Sequence, residues 1–303
     1  MSKSNILLET GTNECEILEF VVDGNNYGIN VAKVREILKY QELTPIPNCH
    51  PFIEGAFSKR GETVSVINLA KCLGLKESCN ALGNRLLMTS FNGITTGFHI
   101  DEVVGIKRVN WANIMKPDSM INSSSGGIVN GIVNIDDRLV LMIDFESILA
   151  TITPEIAENV THQLEHFAKN AYPKSLPILF AEDSKMIRNK IREYLETAGF
   201  TNVSDFSNGL ELYNQLLVFK EDGTLNENVG CIITDLEMPQ MDGHRLLKLI
   251  KEDNELKDIP VLIFSSLIDE QMASKGDGLD ANGQFVKTDV QGLLNRINSI
   301  YAN

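Results

Sequence analysis

Three carboxylates in the second half of the chain follow apolar runs, at points where strands are expected to end. Glu182 and Asp183 come directly after ILFA at residues 178–181, and Asp235 comes directly after CIIT at residues 231–234. The carboxyl ends of parallel strands meet at one edge of a sheet, so we expect these carboxylates to lie close together. Such charges repel one another, and a divalent cation relieves the repulsion. Carboxylate oxygens with water favour Mg²⁺.

Two further strand ends carry groups that a phosphoryl-transfer site needs. Ser265 lies at the end of the apolar run VLIFS, and Lys287 follows Phe285 and Val286. A hydroxyl and an ammonium beside a metal-bound carboxylate can hold the oxygens of a phosphoryl group. Asp235 is then the logical nucleophile, and it would form an acyl phosphate. Each residue alone is more often a helix cap or an ordinary strand-end residue, so only the combination indicates a site.

The elements that position these residues alternate between strand and helix. Apolar runs predict strands at residues 177–181, 203–206, 230–234, 260–264 and 284–286. Helical spacing of apolar residues predicts helices at residues 184–198, 210–219 and 242–252. Solidly apolar strands that alternate with helices indicate a parallel sheet covered on both faces.

The first half of the chain has a different pattern, made of many short strands separated by turn residues. Strands are predicted at residues 15–22, 27–30, 55–58, 63–68, 85–91, 96–100, 106–110, 127–133 and 138–143. Residues 31–38 are predicted to form one short helix, with Val31, Val34, Ile37 and Leu38 on one face, and residues 146–150 a terminal turn. This pattern favours a barrel or a sandwich. We expect domains at 14–150 and 176–303, joined by a polar helical linker at 151–175.

Bulk composition limits the classes of function. A chain of 303 residues is long enough for two domains, and its net charge of −14 divides into −4 for residues 1–150 and −10 for residues 151–303. This acidity argues against nucleic acid as a partner. No run of 18 apolar residues and no signal peptide occurs, so we expect a cytoplasmic protein without direct membrane insertion. Five scattered cysteines indicate reduced thiols rather than a zinc site or disulfides.

The motifs of the second half resemble the receiver domain of two-component response regulators over residues 176–302. The segments that carry the resemblance are LFAEDS, TDLEMPQMDG, PVLIFSS and FVK. It implies a five-stranded α/β flavodoxin-like fold in which Asp235 accepts phosphate from a phosphohistidine of a sensor kinase. It also implies roles for other positions: Glu182 and Asp183 as the metal-binding acidic pair, Glu237 as a backbone carbonyl ligand, Ser265 and Lys287 as the phosphate-sensing residues, and Pro239 and Gly243 in the following turn.

Two positions depart from the usual receiver pattern. Thr288 follows Lys287, where receivers commonly have proline, and Gln284 stands where the switch aromatic is usual. Phe285 shares the strand face of Lys287, so it does not simply replace that aromatic.

The first half resembles the CheW family of chemotaxis coupling proteins over residues 14–150. The segments that carry the resemblance are EFVVDGNNYGINVAKVREILKY, PFIEGAFSKRGETVSVINLAKCLGL, TGFHIDEVVGIKRV and VNGIVNIDDRLVLMIDFESIL. It implies two small SH3-like β-barrels that connect chemoreceptors to the histidine kinase CheA. The partner-binding candidates that it implies are Val34, Glu36 and Ile37 on the predicted helix, and Arg60. A CheW-like domain followed by a receiver resembles the CheV family of chemotaxis proteins.

These resemblances imply a coupling adaptor rather than an enzyme. Its expected chemistry is limited to Mg²⁺-dependent phosphoryl acceptance and slow self-dephosphorylation at Asp235. The expected partners are CheA and the cytoplasmic tips of chemoreceptors, with CheW as a further candidate, and the expected location is the receptor array. The alternative is a phosphate sink that drains phosphoryl groups from CheA. A phosphatase is a third possibility, for which the sequence offers no residues.

Overall fold

The computed structural model describes residues 14–76, 83–91, 94–118, 120–121, 125–153, 175–266 and 281–302. Nearly all of the predicted linker, residues 151–175, lies outside these described residues. The domain boundaries given above therefore stay predictions.

The described part of the first half is built mainly from strands. They are β1 (Glu14–Val22), β2 (Asn25–Asn30), β3 (Val34–Lys39), β4 (Ile53–Lys59), β5 (Glu62–Asn68), β6 (Arg85–Phe91), β7 (Ile94–Ile100), β8 (Glu102–Asn110), β9 (Val129–Ile135) and β10 (Arg138–Ile143). Two helices accompany them, α1 (Leu69–Cys72) and α2 (Phe145–Ile152). The predicted all-β class of this half is confirmed. The predicted terminal turn at residues 146–150 belongs to the longer helix α2.

These strands form two sheets that curl until their edges approach. The strand orders are β8-β1-β2-β10-β9 and β3-β6-β7-β5-β4. In the first sheet, the segment after β8 pairs with β9 through Met115 and Ile132. In the second, the segment after β3 pairs with β4 through Thr44 and Ala56. Each sheet therefore curls toward a small closed barrel. Closing a sheet in this way removes the exposed edges of its outer strands.

The predicted helix at residues 31–38 is wrong. Only Val31–Lys33 forms a single 3-10 turn, and Val34–Lys39 is the strand β3. Side chains of β3 alternate between half-buried and exposed, which is the period of a strand. The backbone of β3 pairs with β6, as in Ile37 opposite Leu87. Branched residues such as Val34 and Ile37 fit this pairing well, and their spacing alone does not distinguish the two structures over so short a segment.

Aromatic packing fixes α2 where the two sheets meet. The buried cluster there draws on both sheets, including Phe20 of β1 and Phe98 of β7. The ring of Phe145, the first residue of α2, lies edge-on to Phe98 at 4.4 Å and to Phe20 at 6.1 Å. Asp144 caps α2 by accepting a hydrogen bond from the backbone N–H of Ser147. The residues of the first turn of α2 are thus held in defined positions.

The second half is a parallel sheet between two layers of helices. Its strands are β11 (Ile178–Ala181), β12 (Val203–Phe206), β13 (Cys231–Thr234), β14 (Val261–Ser265) and β15 (Gly283–Val286), in the order β12-β11-β13-β14-β15. The described helices are α3 (Lys185–Thr197), α4 (Gly209–Glu221), α5 (Leu225–Asn228), α6 (Gly243–Glu252) and α7 (Val290–Tyr301). Separate buried clusters cover the two faces of the sheet. The predicted flavodoxin-like α/β fold is confirmed.

Candidate functional site

Three carboxylates meet at the carboxyl edge of the parallel sheet. Ala181 and Thr234, the last residues of β11 and β13, are opposite one another in the register of the paired strands. The residues that follow them therefore leave the sheet at the same point. One carboxylate oxygen from each of Glu182, Asp183 and Asp235 lies within 4.8 Å of the other two. The sheet register thus brings the predicted acidic residues into one cluster.

Lys287 reaches this cluster from the end of β15. Its Nζ lies 2.9 Å from Oδ2 of Asp235 and 2.8 Å from Oε2 of Glu182. Its backbone N–H donates to the carbonyl oxygen of Ser265 at 3.2 Å, which joins the ends of β14 and β15. Oδ1 of Asp235 accepts a hydrogen bond from the N–H of Leu236 at 2.7 Å. The carboxylate of Asp235 is therefore oriented through both of its oxygens.

Burial makes this group of charges unfavourable without added positive charge. Burial raises the pKa of Asp183 to about 6, and Asp144 and Asp235 add to the increase. Burial likewise raises the pKa of Glu237 to about 8. Oε2 of Glu237 is buried and has no hydrogen-bond partner among the described residues. Buried carboxylate oxygens in excess of cationic partners are a donor set that fits a hard divalent cation.

The turn after β13 requires glycine at its end. The N–H of Gly243 donates to the carbonyl oxygen of Leu236 at 3.0 Å. A Cβ on Gly243 would lie 2.1 Å from the carbonyl oxygen of Asp235, so any side chain there would displace the backbone of the cluster. Asp242 caps the following helix α6 by accepting from the N–H of Arg245.

Two charged side chains from the first half of the chain enter the same cluster. Oε2 of Glu146 accepts hydrogen bonds from Oγ of Ser266 at 2.6 Å and from Nζ of Lys287 at 3.1 Å. Oε1 of Glu146 accepts from Nζ of Lys33 at 3.1 Å. Sequence reasoning missed Glu146, Lys33 and Ser266. No local signal marks Glu146, because its segment is typical of an ordinary terminal turn.

The predicted partner-binding residues of the first half do not form one helical face. Val34 is half-buried against the core, whereas Ile37 is 40% exposed. Glu36 forms an ion pair with Lys59 of β4. Arg60 is exposed in the turn between β4 and β5, with a φ of 51°. A role for these residues in partner binding stays a prediction. The helical surface that is expected to present three of them does not form, because Val34, Glu36 and Ile37 lie on the strand β3.

Comparisons with known proteins match the two halves separately and together. The model of the CheW-like domain matches residues 16–153, and the model of the response regulator receiver domain matches residues 178–298. The chain is 30% identical to chemotaxis protein CheV3 of Helicobacter pylori, over 95% of this chain and 94% of that protein. It is 29% identical to chemotaxis protein CheV2 of the same organism, over 92% of both. Chemotaxis protein CheW of Thermotoga maritima is 26% identical over 46% of this chain and 91% of its own length.

Among the described residues, no helix is both long enough and apolar enough to cross a membrane.

Proposed function

Because this chain belongs to the CheV family of chemotaxis proteins, we propose that it couples chemoreceptors to the histidine kinase CheA and that phosphorylation of Asp235 adjusts this coupling. The observation that carries the proposal is the contact of Asp235 with Lys287, beside two further carboxylates, in a chain whose other half is a CheW-like domain. The proposed site of action is the receptor array, with CheA, the receptor tips and CheW as partners.

In the proposed reaction, a carboxylate oxygen of Asp235 attacks the phosphorus atom of a phosphohistidine. The P–N bond breaks, its electron pair returns to the imidazole ring, and an acyl phosphate forms on Asp235. Lys287, whose Nζ is 2.9 Å from Oδ2 of Asp235, would hold a phosphoryl oxygen. The hydroxyl of Ser265 is proposed as a second donor to the same group.

Mg²⁺ is the proposed cofactor of this reaction, since the buried carboxylates favour a hard cation. The proposed ligands are the carboxylates of Glu182, Asp183 and Asp235 and the backbone carbonyl oxygen of Glu237. When bound, Mg²⁺ would neutralise charge on the phosphoryl oxygens. Beyond accepting the phosphoryl group and losing it slowly to water, the chain is proposed to have no catalytic activity.

The test compares Asp235→Ala with the wild type in arrays reconstituted from receptor and CheA. At a fixed phosphate flux, we expect the substitution to change the receptor-controlled kinase activity while the chain still enters the array. Asp258→Ala is the matched control, because Asp258 is exposed and precedes β14, whereas the acidic cluster lies where the strands end. Failure of the wild type to become labelled by phosphorylated CheA in Mg²⁺ would contradict the proposal.

The same experiment separates the coupling role from a phosphate sink. A sink changes only the competition between this chain and other receivers for phosphoryl groups. Asp235→Ala would then leave receptor-controlled kinase activity unchanged when no other receiver is present. Adding a second receiver and following its label would show the difference.

A further inference from the structure

The ion pair of Lys33 and Glu146 lies inside the receiver pocket although both residues belong to the CheW-like half. The two charges are 3.1 Å apart, and each is at least nine-tenths buried. Glu146 lies in the first turn of α2. The preceding residue, Phe145, packs between the rings of Phe20 from one sheet and Phe98 from the other. A buried ion pair needs further polar partners to offset the loss of water. The receiver half supplies them.

The carboxylate of Glu146 uses the ammonium of Lys287, which a phosphoryl group on Asp235 would need. Oε2 of Glu146 and Oδ2 of Asp235 both lie within 3.1 Å of the same Nζ of Lys287. Oγ of Ser266 also donates to Oε2 of Glu146, at 2.6 Å. An ammonium at this range is a partner of phosphoryl oxygens in transfer sites. The Glu146 carboxylate and a phosphoryl group therefore cannot occupy this pocket together.

The ammonium of Lys33 lies on the acidic side of the pocket. Burial would lower the pKa of Lys33, but the surrounding carboxylates, Glu146 and then Asp183 most strongly, raise it well above its ordinary value. A cavity of about 40 Å³ is lined by Lys33 and Trp111 from one half and by Asp183 and Glu237 from the other. Lys33 thus supplies a tethered positive charge next to the oxygens proposed to hold a divalent cation.

Further contacts across the boundary close the pocket. Nδ2 of Asn130 donates to Oδ2 of Asp183 at 3.0 Å, and the hydroxyls of Ser147 and Ser184 lie 3.0 Å apart. Asp235 is only 3% exposed in this arrangement. Little of this carboxylate is therefore open to a phosphohistidine on another protein.

We propose that Lys33 and Glu146 are an internal ligand of the receiver pocket, standing where a cation and a phosphoryl group would bind, and that the two domains must separate before Asp235 is phosphorylated. This inference rests on the proposed phosphorylation of Asp235. Once the phosphoryl group is in place, Glu146 cannot return, so phosphorylation holds the domains apart. The surface of the CheW-like domain around α2 then becomes available to partners. Phosphorylation of the receiver domain would in this way change the coupling activity of the CheW-like domain.

The full-length chain carries its own reporter of this separation. Trp111 is the single tryptophan of the sequence, and it lines the small cavity at the boundary. We expect its fluorescence to change when acetyl phosphate and Mg²⁺ phosphorylate the wild type. Glu146→Gln keeps the shape of the side chain but removes the charge that pairs with Lys33. It should show the altered fluorescence before any phosphoryl donor is added.

Rates of labelling give the second measurement. Glu146→Gln should be phosphorylated by acetyl phosphate at least about tenfold faster than the wild type, because a tenfold change needs only about 1.4 kcal/mol and a buried charge pair is worth more than that when broken. Asn130→Asp is a second variant, since it places a carboxylate against Asp183 without touching Asp235 or Lys287, and it should also accelerate labelling. Glu62→Gln, at an exposed position of β5, is the control and should match the wild type.

The outcomes separate this inference from the proposed function. Equal labelling rates in the wild type, Glu146→Gln and Asn130→Asp would overturn the internal ligand while leaving phosphorylation of Asp235 intact. If no chain is labelled, the proposed function fails. In that case the fluorescence of Trp111 in buffer tests the internal ligand by itself. Identical emission from Glu146→Gln and the wild type would overturn the internal ligand too.

Discussion

Lys287 is the cation on which three buried carboxylates depend. Its Nζ lies within 3.1 Å of Glu146, Glu182 and Asp235, and these contacts raise its pKa well above the ordinary value although burial alone would lower it. A cation shared in this way stabilises both the receiver pocket and the boundary with the CheW-like half. Removing it leaves uncompensated buried charge on both sides.

We therefore expect Lys287→Met to lower the free energy of unfolding by roughly 3–5 kcal/mol. Added Mg²⁺ should recover more stability in this variant than in the wild type, because a cation that binds the folded state stabilises it in proportion to its affinity. Urea unfolding with and without Mg²⁺ measures both effects. Lys257→Met, at an exposed position, is the control. A variant as stable as the wild type would mean that the carboxylates do not need this ammonium.

Glu54 connects a second polar network, inside the CheW-like half. Its Oε2 lies 2.7 Å from Nδ1 of His99, and its Oε1 accepts from the hydroxyl of Tyr40 at 2.7 Å. Nε2 of His99 lies 2.8 Å from Nδ2 of Asn84. Both ring nitrogens of His99 are thus engaged, which indicates a structural histidine rather than a catalytic one.

This network predicts a pH dependence of stability. Burial would raise the pKa of Glu54, but the hydrogen bonds from His99 and Tyr40 lower it below 4.5. Because the folded carboxyl is more acidic than the unfolded one, its contribution is complete above pH 4.5 and is lost as the pH falls through the folded pKa. The stability difference between the wild type and Glu54→Gln should therefore be largest near neutral pH and shrink in acid, as followed by urea unfolding. A difference that grows in acid would contradict this sign, and Glu62→Gln should show no such trend.

Among the elements, the turn between β13 and α6 leaves the least room for change. Gly243→Ala would place a Cβ 2.1 Å from the carbonyl oxygen of Asp235. We expect a loss of about 1–3 kcal/mol in the stability of the receiver, with slower phosphorylation because Asp235 is displaced from Lys287. Gly223→Ala is the matched comparison, since Gly223 has a φ of 69° but open space around its Cα. It should cost about 1–2 kcal/mol through its backbone conformation and leave the labelling rate unchanged.

The elements themselves could largely be predicted from the sequence. The patterns at residues 85–91, 138–143 and 203–206 predict β6, β10 and β12 with the ends that the structure has, because turn residues flank each run. Two elements differ from the prediction: α2 replaces a predicted terminal turn, and the strand β3 replaces a predicted helix. The apolar residues of β3 fit a helical face as well as a strand, and only the pairing with β6, which is distant in sequence, selects the strand.

At the scale of the whole molecule, the boundary between the halves combines strong and weak contacts. The pair of Lys33 and Glu146 is buried, yet an apolar cavity of about 180 Å³ also lies between the halves, lined in part by Ile67, Leu149 and Tyr194. Unfilled apolar space loses packing energy, so the halves are not held together as tightly as one core.

The closed pocket could not be predicted from the sequence. The strand-end residues of the receiver follow from its alternating pattern, because sheet topology alone brings their side chains to one edge. Glu146, Lys33 and Asn130 lie on separate elements of the other half, and each is an ordinary polar residue in its local sequence. Their role depends on how the two halves, which have separate buried clusters, pack against each other, and no local sequence pattern predicts that packing.

The boundary also has an exposed ion pair, and its response to salt should differ from that of the buried pair. Lys116 contacts Glu211 of α4 across the boundary, with both side chains largely exposed at 50% and 40%. Lys116→Glu puts like charges together, so it should favour separation and speed the labelling of Asp235 at low salt. Because the screening length falls to about 3 Å at 1 M salt, this acceleration should vanish there. The faster labelling of Glu146→Gln should persist at 1 M salt, since its partners are buried. Labelling rates of both variants at 0.05 and 1 M salt test the difference, and an acceleration by Glu146→Gln that disappears with salt would show that the pocket is open to solvent.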